Sequence, residues 1–195
     1  MTIQYSAFQL DALRELANIG SGNASTALSS MLGRSVDITV PSARVLPMAD
    51  AVGAIGNPEA DATGDVLGVI GDMGASVLLL FTPSDAELMC GMLGVEAGTE
   101  IGDSALQEIG NIVGTSYINA LAEMTGMALE PTPPGVASDM LGAIVETVLA
   151  ERAGGGDAAL LLDSDLVVEE TDCSVSFLLM PDQGGVDQLL ARLGL

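Results

Sequence analysis

The segment LRELANIGSGNASTALSSMLGRSVDITVP, residues 13–41, begins with a helical pattern and ends in an extended stretch closed by a proline. On a helical wheel at about 100° per residue, Leu13 and Leu16 lie on one side of the helix. Glu15 and Asn18 lie together on the opposite side, one turn apart. The segment therefore predicts a helix that buries an aliphatic face and presents an acid and a carboxamide to solvent.

The chain repeats this arrangement after a shift of 93 positions. DALRELANI, residues 11–19, then aligns with SALQEIGNI, residues 104–112, and the similarity continues downstream with a drift of a few residues. Two copies are too few for a solenoid, which needs about three repeats or more. We therefore expect one pseudo-two-fold domain over residues 1–195, made of two internal repeats at about 1–98 and 99–195 that share a core.

Each repeat predicts a long helix, an extended segment, a hairpin and a closing helix. Gly33 and Gly126 are expected to end the long helices. The fold class that follows is α/β of the α+β type, a sandwich of helices on a mostly antiparallel sheet. The expected ranges are 6–31 and 103–125 for the long helices, 65–71 with 75–81 and 158–168 with 173–180 for the hairpins, and 84–93 and 185–193 for the closing helices.

The two repeats differ most after Pro41 and Pro134. The stretch that follows Pro41 is rich in Gly, Pro and Asp and is expected to be a loop. Its counterpart has the spacing of an amphipathic helix at about 138–152, with Ser138 or Asp139 as the N-cap. Only the second repeat is therefore expected to have a helix here, as either a plain surface helix or a docking surface.

Acidic residues dominate the charged positions. There are 27 Asp and Glu against five Arg, with no Lys, which gives a net charge of −22. Phosphate binding needs clustered Lys or Arg, so this charge excludes a nucleic-acid partner, and it also repels anionic membrane surfaces. Concentrated salt screens such self-repulsion, because the Debye length falls to roughly 3 Å at 1 M. The composition favours a halophilic protein; an ordinary acidic protein without lysine is the alternative.

The residue types absent from the chain exclude several kinds of catalysis. Without histidine there is no Ser-His or Cys-His unit, and without lysine there is no Walker-type phosphate loop and no Schiff base. Cys90 and Cys173 lie far apart in apolar contexts. We predict that both are buried, and that they neither form a disulfide nor act as nucleophiles.

Neither a membrane span nor a secretory signal is evident. No predominantly apolar stretch reaches about 18 residues, and no basic segment followed by an apolar one opens the chain. A cytoplasmic location is the expectation.

A pair of Glu and Asn one turn apart occurs in both repeats, as Glu15 with Asn18 and as Glu108 with Asn111. Every amphipathic helix has a polar face, so a single pair would be ordinary. Asn in a helix interior costs several tenths of a kcal/mol relative to Ala, however. The same pair at the same place in both repeats favours a function for it.

A proline follows each Asn after 22 intervening residues, which completes the pattern (Asp or Ser)-x3-Glu-x2-Asn-x22-Pro. A strand that returns alongside the helix would bring this proline near the polar face. The doubled pattern resembles the CheC family of chemotaxis phosphatases, and the resemblance covers essentially the whole chain. Transferred position by position, it implies Glu15, Asn18, Glu108 and Asn111 as catalytic residues and Asp11, Ser104, Pro41 and Pro134 as supporting residues.

The resemblance implies an enzyme that hydrolyses the aspartyl phosphate of the response regulator CheY, with the CheD deamidase as a second partner. The regulator itself would supply Mg²⁺ and a lysine. A carboxamide accepts a hydrogen bond from water and donates one to a phosphoryl oxygen, so Asn18 and Asn111 would orient the attacking water. Glu15 and Glu108 would pair with the lysine and dock the receiver. We expect no cofactor or metal on this chain and no covalent intermediate.

Other interpretations stay open. A non-catalytic adaptor for phosphorylated CheY or CheD would need no Glu-x2-Asn pair. A metal-binding acidic protein would need a ligand loop, and DSDLVVEETD, residues 163–172, does not match a calcium loop. The run GSGNAS, residues 20–25, fits close helix packing and access for a partner backbone equally well. The internal symmetry favours a monomer.

Overall fold

Helices and strands alternate along residues 5–152, 158–182 and 184–195, which the computed structural model describes. The helices are α1 (Ala7–Leu32), α2 (Met48–Ile55), α3 (Pro83–Met92), α4 (Glu100–Thr125), α5 (Leu141–Arg152) and α6 (Gly185–Arg192). The strands are β1 (Val36–Ile38), β2 (Ser42–Pro47), β3 (Asp61–Gly71), β4 (Ala75–Phe81), β5 (Leu129–Pro131), β6 (Gly135–Met140), β7 (Ala158–Val168) and β8 (Ser174–Pro181).

Local capping sets the ends of the two long helices. Ser6 and Gln9 form a reciprocal capping box at the start of α1, each side chain bonding the other residue's backbone N–H. Gly33 and Gly126 follow α1 and α4 with φ of 64° in both cases. Glycine adopts this left-handed conformation without steric cost, which is why both helices end where the sequence predicted.

All the strand pairings in the described residues are antiparallel, and they form one sheet in the order β1-β7-β8-β4-β3-β5. The hairpins β3–β4 and β7–β8 confirm the predicted ones, and β4 pairs with β8 to join them. Strands β1 and β2 of the first half both pair with β7, while β5 and β6 of the second half both pair with β3. Each half thus places its two short strands on the long strand of the other half, which is compatible with a duplicated domain.

Prolines mark the two places where a short strand is interrupted. Pro41 lies between β1 and β2, and Pro134 lies between β5 and β6. Proline has no backbone N–H to donate to a strand ladder, so pairing stops and resumes beyond it. Each proline therefore stands at the break between two strands that run along the same neighbour.

Helices cover both faces of the sheet. Alternate residues of β4 point to opposite faces: Val77 and Leu79 belong to the core beneath α1, α4, α3 and α6, whereas Leu78 and Leu80 belong to the core beneath α2 and α5. The fold is therefore the predicted sandwich of helices on an antiparallel sheet, and α1 and α4 share one face.

The prediction for the stretches after the two prolines was wrong in two respects. The first half does contain a helix, α2, which packs Ala51 and Val52 against α5. This helix is short and has no side-chain cap, so its sequence gave little helical signal. Ser138 and Asp139 are not caps, because they lie in β6, where the Ser138 hydroxyl bonds that of Thr63 at 2.9 Å.

Candidate active site

The helix α1 directs its aliphatic residues to the sheet and its polar pair outward. Leu13, Leu16 and Ala17 are 0–2% exposed, whereas Glu15 and Asn18 are exposed. Burial of the aliphatic stripe fixes the rotation of the helix, so the position of the polar pair follows from the packing of the opposite face.

The helix α4 repeats this arrangement. Leu106 and Ile109 are buried, Glu108 is exposed and Asn111 is half-buried. Within the described part of the chain, neither the Glu nor the Asn side chain of either pair forms a hydrogen bond or an ion pair. Their polar atoms are therefore available to a partner.

The two predicted supporting residues on the helices bond within their own helix. Asp11 accepts a hydrogen bond from Arg14 Nη1 at 3.2 Å, in an exposed ion pair. Ser104, at the corresponding place in α4, donates its hydroxyl to the Glu100 carbonyl at 2.9 Å. Neither residue contacts its Glu–Asn pair through a hydrogen bond, so the local environments of the two pairs differ.

The strand that follows each long helix returns alongside it. In the first half, Ser25 Oγ donates to the Val36 carbonyl at 2.5 Å, and Ser29 Oγ accepts from the Val36 N–H at 3.0 Å. These bonds attach β1 to α1 just before Pro41, which is buried.

In the second half the proline segment bonds the site helix directly. Gln107 Nε2 donates to the Pro134 carbonyl at 2.5 Å, one residue before Glu108. Gln107 could not be recognised from the repeat, because Arg14 occupies the corresponding position in the first half and pairs with Asp11 instead. The Gln107 side chain thus holds Pro134 against α4, the helix that carries Glu108 and Asn111. The described residues of the first repeat contain no equivalent of this bond.

A buried carboxyl group lies beneath the second pair. Asp65 on β3 is 0% exposed, and neither of its oxygens has a side-chain or backbone partner within hydrogen-bond geometry. Its Oδ2 fills the space beside Gly110, where a Cβ would lie only 1.5 Å away. Burial raises the pKa of Asp65 to about 7, an effect opposed by the nearby Gly110 N–H.

Asp65 was also missed from the sequence, although a signal was present. It alternates with Leu67 and Val69, whose side chains belong to the core beneath α4. An acid at an inward-facing position of a strand pattern is unusual, because an unpaired charge is costly to bury. Gly110 is adjacent to Asn111, so Asp65 lies directly beneath the helix backbone that carries the second pair.

The glycine-rich run after Asn18 contains one glycine in close helix packing and one at an open surface. A Cβ on Gly20 would lie 2.6 Å from Cε2 of Tyr117, so this glycine permits close packing of α1 on α4. A Cβ on Gly22 would have no atom within 4 Å. Gly22 lies one turn after Asn18 on the same face, and there the surface is open to a partner backbone.

Other chemistry-bearing groups stay outside this site. Cys90 and Cys173 are buried free thiols, as predicted, and burial raises the pKa of Cys173 to about 11. No cluster of His, Cys, Asp or Glu among the described residues has the geometry to hold a metal ion. No described helix is long and apolar enough to cross a membrane. A cleft of about 380 Å³ lined in part by Asp61, Asp103 and Asp139 contains neither pair.

The arrangement suits a reaction on a group that another protein carries. Glu15, Asn18 and Glu108 are exposed and Asn111 is half-buried, so a small substrate would find little enclosure at these side chains. A protein substrate would enclose the reacting group with its own surface. The carboxylate offers an ion-pair partner, and the carboxamide one turn away offers both a donor and an acceptor.

Comparison with known sequences identifies relatives along nearly the whole chain. The sequence model of the CheC-like family matches residues 8–44 and 101–138. The protein named CheY-P phosphatase CheC of Bacillus subtilis (strain 168) is 30% identical over 196 aligned residues, which cover 95% of this chain and 94% of that protein. The flagellar motor switch phosphatase FliY of the same strain is 33% identical over 138 residues, 67% of this chain and 36% of that protein.

Comparison with solved structures identifies the same fold. The crystal structure of Thermotoga maritima FliY superposes with a TM-score of 0.78 at 20% identity, covering 97% of this chain and 98% of that one. The FliM middle domain from H. pylori gives 0.68 at 14% identity, covering 96% and 99%. Because the chain is 30% identical to CheC over nearly the full length of both proteins, it belongs to the CheC-like family.

Proposed function

We propose that this protein is a phosphatase that hydrolyses the aspartyl phosphate of phosphorylated CheY. The relatives named CheY-P phosphatase CheC and flagellar motor switch phosphatase FliY support this activity. The observation that carries it on this chain is the presence of two Glu–Asn pairs, one each on α1 and α4, whose polar atoms are exposed or half-buried and without partners among the described residues.

In this mechanism the receiver brings the phosphoryl group, its Mg²⁺ and a lysine. Glu15 or Glu108 pairs with that lysine and sets the register of the helix on the receiver. The amide oxygen of Asn18 or Asn111 then accepts a hydrogen bond from a water, while the amide NH₂ donates to a phosphoryl oxygen. The water is held in line with the leaving aspartyl oxygen, so the catalytic gain comes from positioning.

The supporting residues act on the backbone in this proposal. Pro41 and Pro134 fix the strands that return along α1 and α4, and Asp11 and Ser104 occupy the turn before each Glu. We further propose that the protein works as a cytoplasmic monomer with no cofactor of its own. CheD remains a proposed second partner. The helix α5 carries no specific argument for this partner, because α2 is its counterpart in the first half and the buried residues of α5 belong to the core beneath α2 and α5.

The test is the loss of label from phosphorylated CheY, in high salt, with wild type, Asn18→Ala, Asn111→Ala and the double variant. We expect each single variant to lose at least part of the activity and the double variant to fall by about a hundredfold or more, since a positioning group of this kind contributes several kcal/mol. An unchanged rate in the folded double variant would refute the assignment.

The second candidate is a non-catalytic adaptor that sequesters phosphorylated CheY or binds CheD. The shared fold with the FliM middle domain is the observation that keeps it in view. The double Asn variant separates the two functions: an adaptor would leave phospho-CheY decay at its intrinsic rate in wild type and variant alike, whereas the phosphatase accelerates decay only in wild type.

A further inference from the structure

An exposed apolar side chain precedes each Glu by seven residues. Phe8 on α1 and Ile101 on α4 are each 68% exposed. The other two phenylalanines of the chain, Phe81 and Phe177, are 0% and 1% exposed. Water contact with a large apolar side chain is unfavourable, and here it recurs at the same position of both site helices.

These side chains share the face of the Glu–Asn pairs. At about 100° per residue, Phe8, Glu15 and Ile19 lie within about 40° of each other, with Phe8 about 10 Å before Glu15 and Ile19 about 6 Å beyond it along the axis. Ile19 is 36% exposed. On α4 the same spacing holds for Ile101, Glu108 and Ile112, and Ile112 is half-buried. Each Glu therefore stands between two apolar residues.

We propose that Phe8 with Ile19, and Ile101 with Ile112, form two apolar docking strips that bind the phosphorylated receiver around its lysine. This inference rests on the proposed function and adds the contacts that provide affinity. Apolar contacts on both sides of the Glu exclude water from the Glu–lysine pair, which strengthens the pair in a lower local dielectric.

The charges around the strips favour a cationic partner over a second copy of this chain. A symmetric contact of two copies through α1 would oppose Glu15 to its own counterpart, and the chain has no lysine to compensate. Three of its five arginines, Arg14, Arg44 and Arg192, already pair with Asp residues of the chain. A receiver that presents a lysine within an apolar rim matches both the charge and the apolar residues.

The experiment compares binding and turnover of the Phe8→Ala, Ile101→Ala double variant with wild type. Binding is measured with CheY that carries beryllofluoride, a stable mimic of the phosphoryl group. Turnover is measured with phosphorylated CheY as the substrate. We expect Kd and KM to rise by about tenfold or more while kcat changes less than about twofold, because the strips contact the receiver away from the reacting atoms. The exchanged variant Phe8→Ile, Ile101→Phe is expected to retain binding.

Ile70→Ala is the matched control, because Ile70 is an apolar side chain that is 54% exposed but lies away from the site helices. It follows Val69, which belongs to the core beneath α4, so its side chain points to the opposite face of the sheet. If the wild type hydrolyses phosphorylated CheY and the folded double Ala variant has the same Kd and KM, the docking strips are refuted and the proposed function stands. No turnover by wild type would overturn the proposed function instead. Concentration-dependent dimerisation of wild type that the double Ala variant abolishes would assign the strips to a second copy and overturn the proposal.

Discussion

At the scale of single residues, Asp65 has an environment that is unfavourable for a charged group. Its carboxyl group is fully buried, has no counter-charge and lies against the backbone of α4 beside Gly110. Desolvation disfavours the ionised form, so the folded protein holds the proton to about pH 7, far above the ordinary value of 3.8. Protonation of Asp65 is therefore linked to the stability of the layer that carries the second pair.

The stability of the wild type is expected to fall as pH rises from about 4 to about 7, relative to Asp65→Asn. A raised folded-state pKa adds stability that is fully present below the unfolded pKa and is lost as pH rises through the folded pKa, for a total on the order of 4 kcal/mol. Denaturant unfolding of both proteins across this range, at constant high salt, measures the difference.

Asp61→Asn is the control, because Asp61 is exposed on the same strand. It removes a carboxylate that is in contact with water, so it reports the effect of the lost charge alone. If Asp65→Asn showed the same dependence on pH as this control, Asp65 would have no linked proton in this range.

At the scale of elements, the contact between α1 and α4 depends on one glycine. Tyr117 of α4 is 1% exposed, its ring lies 4.5 Å from that of Phe177, and its edge occupies the place of a Cβ on Gly20. A Cβ on Gly20 would therefore have to displace a buried ring that packs against Phe177. Gly22, one turn from Asn18, faces open space in the same helix.

Two Gly→Ala substitutions two residues apart are therefore expected to change stability in opposite directions. Gly22→Ala should stabilise by about 0.5–1 kcal/mol through helix propensity alone. Gly20→Ala gains the same propensity but forces Tyr117 from its packing, so a net loss of about 1–3 kcal/mol is expected. Urea unfolding monitored by circular dichroism measures both changes. A stabilising Gly20→Ala would show that the helices separate at little cost.

At the scale of the whole molecule, the net charge of −22 is the main unfavourable contribution to stability that salt can change. The described residues contain ion pairs at Arg14, Arg44 and Arg192, so most of the 27 acidic groups face solvent or one another without a cation. Like charges at this density destabilise the compact state, and mobile ions reduce the repulsion within a Debye length that shortens from about 10 Å at 0.1 M to about 3 Å at 1 M.

The melting temperature is accordingly expected to rise with KCl, by about 10 °C or more between about 0.1 and 2 M, with most of the rise at the lower concentrations where screening changes fastest. Differential scanning fluorimetry or circular dichroism at matched pH gives the value. Sucrose at equal osmolality is the control for solute exclusion, which acts without screening. An equal effect of sucrose would contradict electrostatic repulsion as the cause.

Local sequence signals determined the two long helices, the hairpins and the position of the Glu–Asn pairs. The apolar period of 3.6 residues, with Gly33 and Gly126 as terminators, located α1 and α4, and burial of Leu13 and Leu16 turns Glu15 and Asn18 outward. These features depend on neighbouring residues, so they can be read from one stretch of chain at a time. The family resemblance rested on the same local spacing.

Only the tertiary structure decided how the halves interleave and what surrounds each pair. The pairing of β2 with β7 joins residues more than a hundred positions apart, and that of β6 with β3 joins residues 69–79 positions apart. The helix α2 packs into the same core as α5. Asp65 beneath Gly110, Tyr117 against Gly20, and Gln107 on Pro134 are contacts between elements. Sequence periodicity determines which face of a helix or strand is buried. Which residues that face contacts depends on the packing of segments that are distant in the sequence.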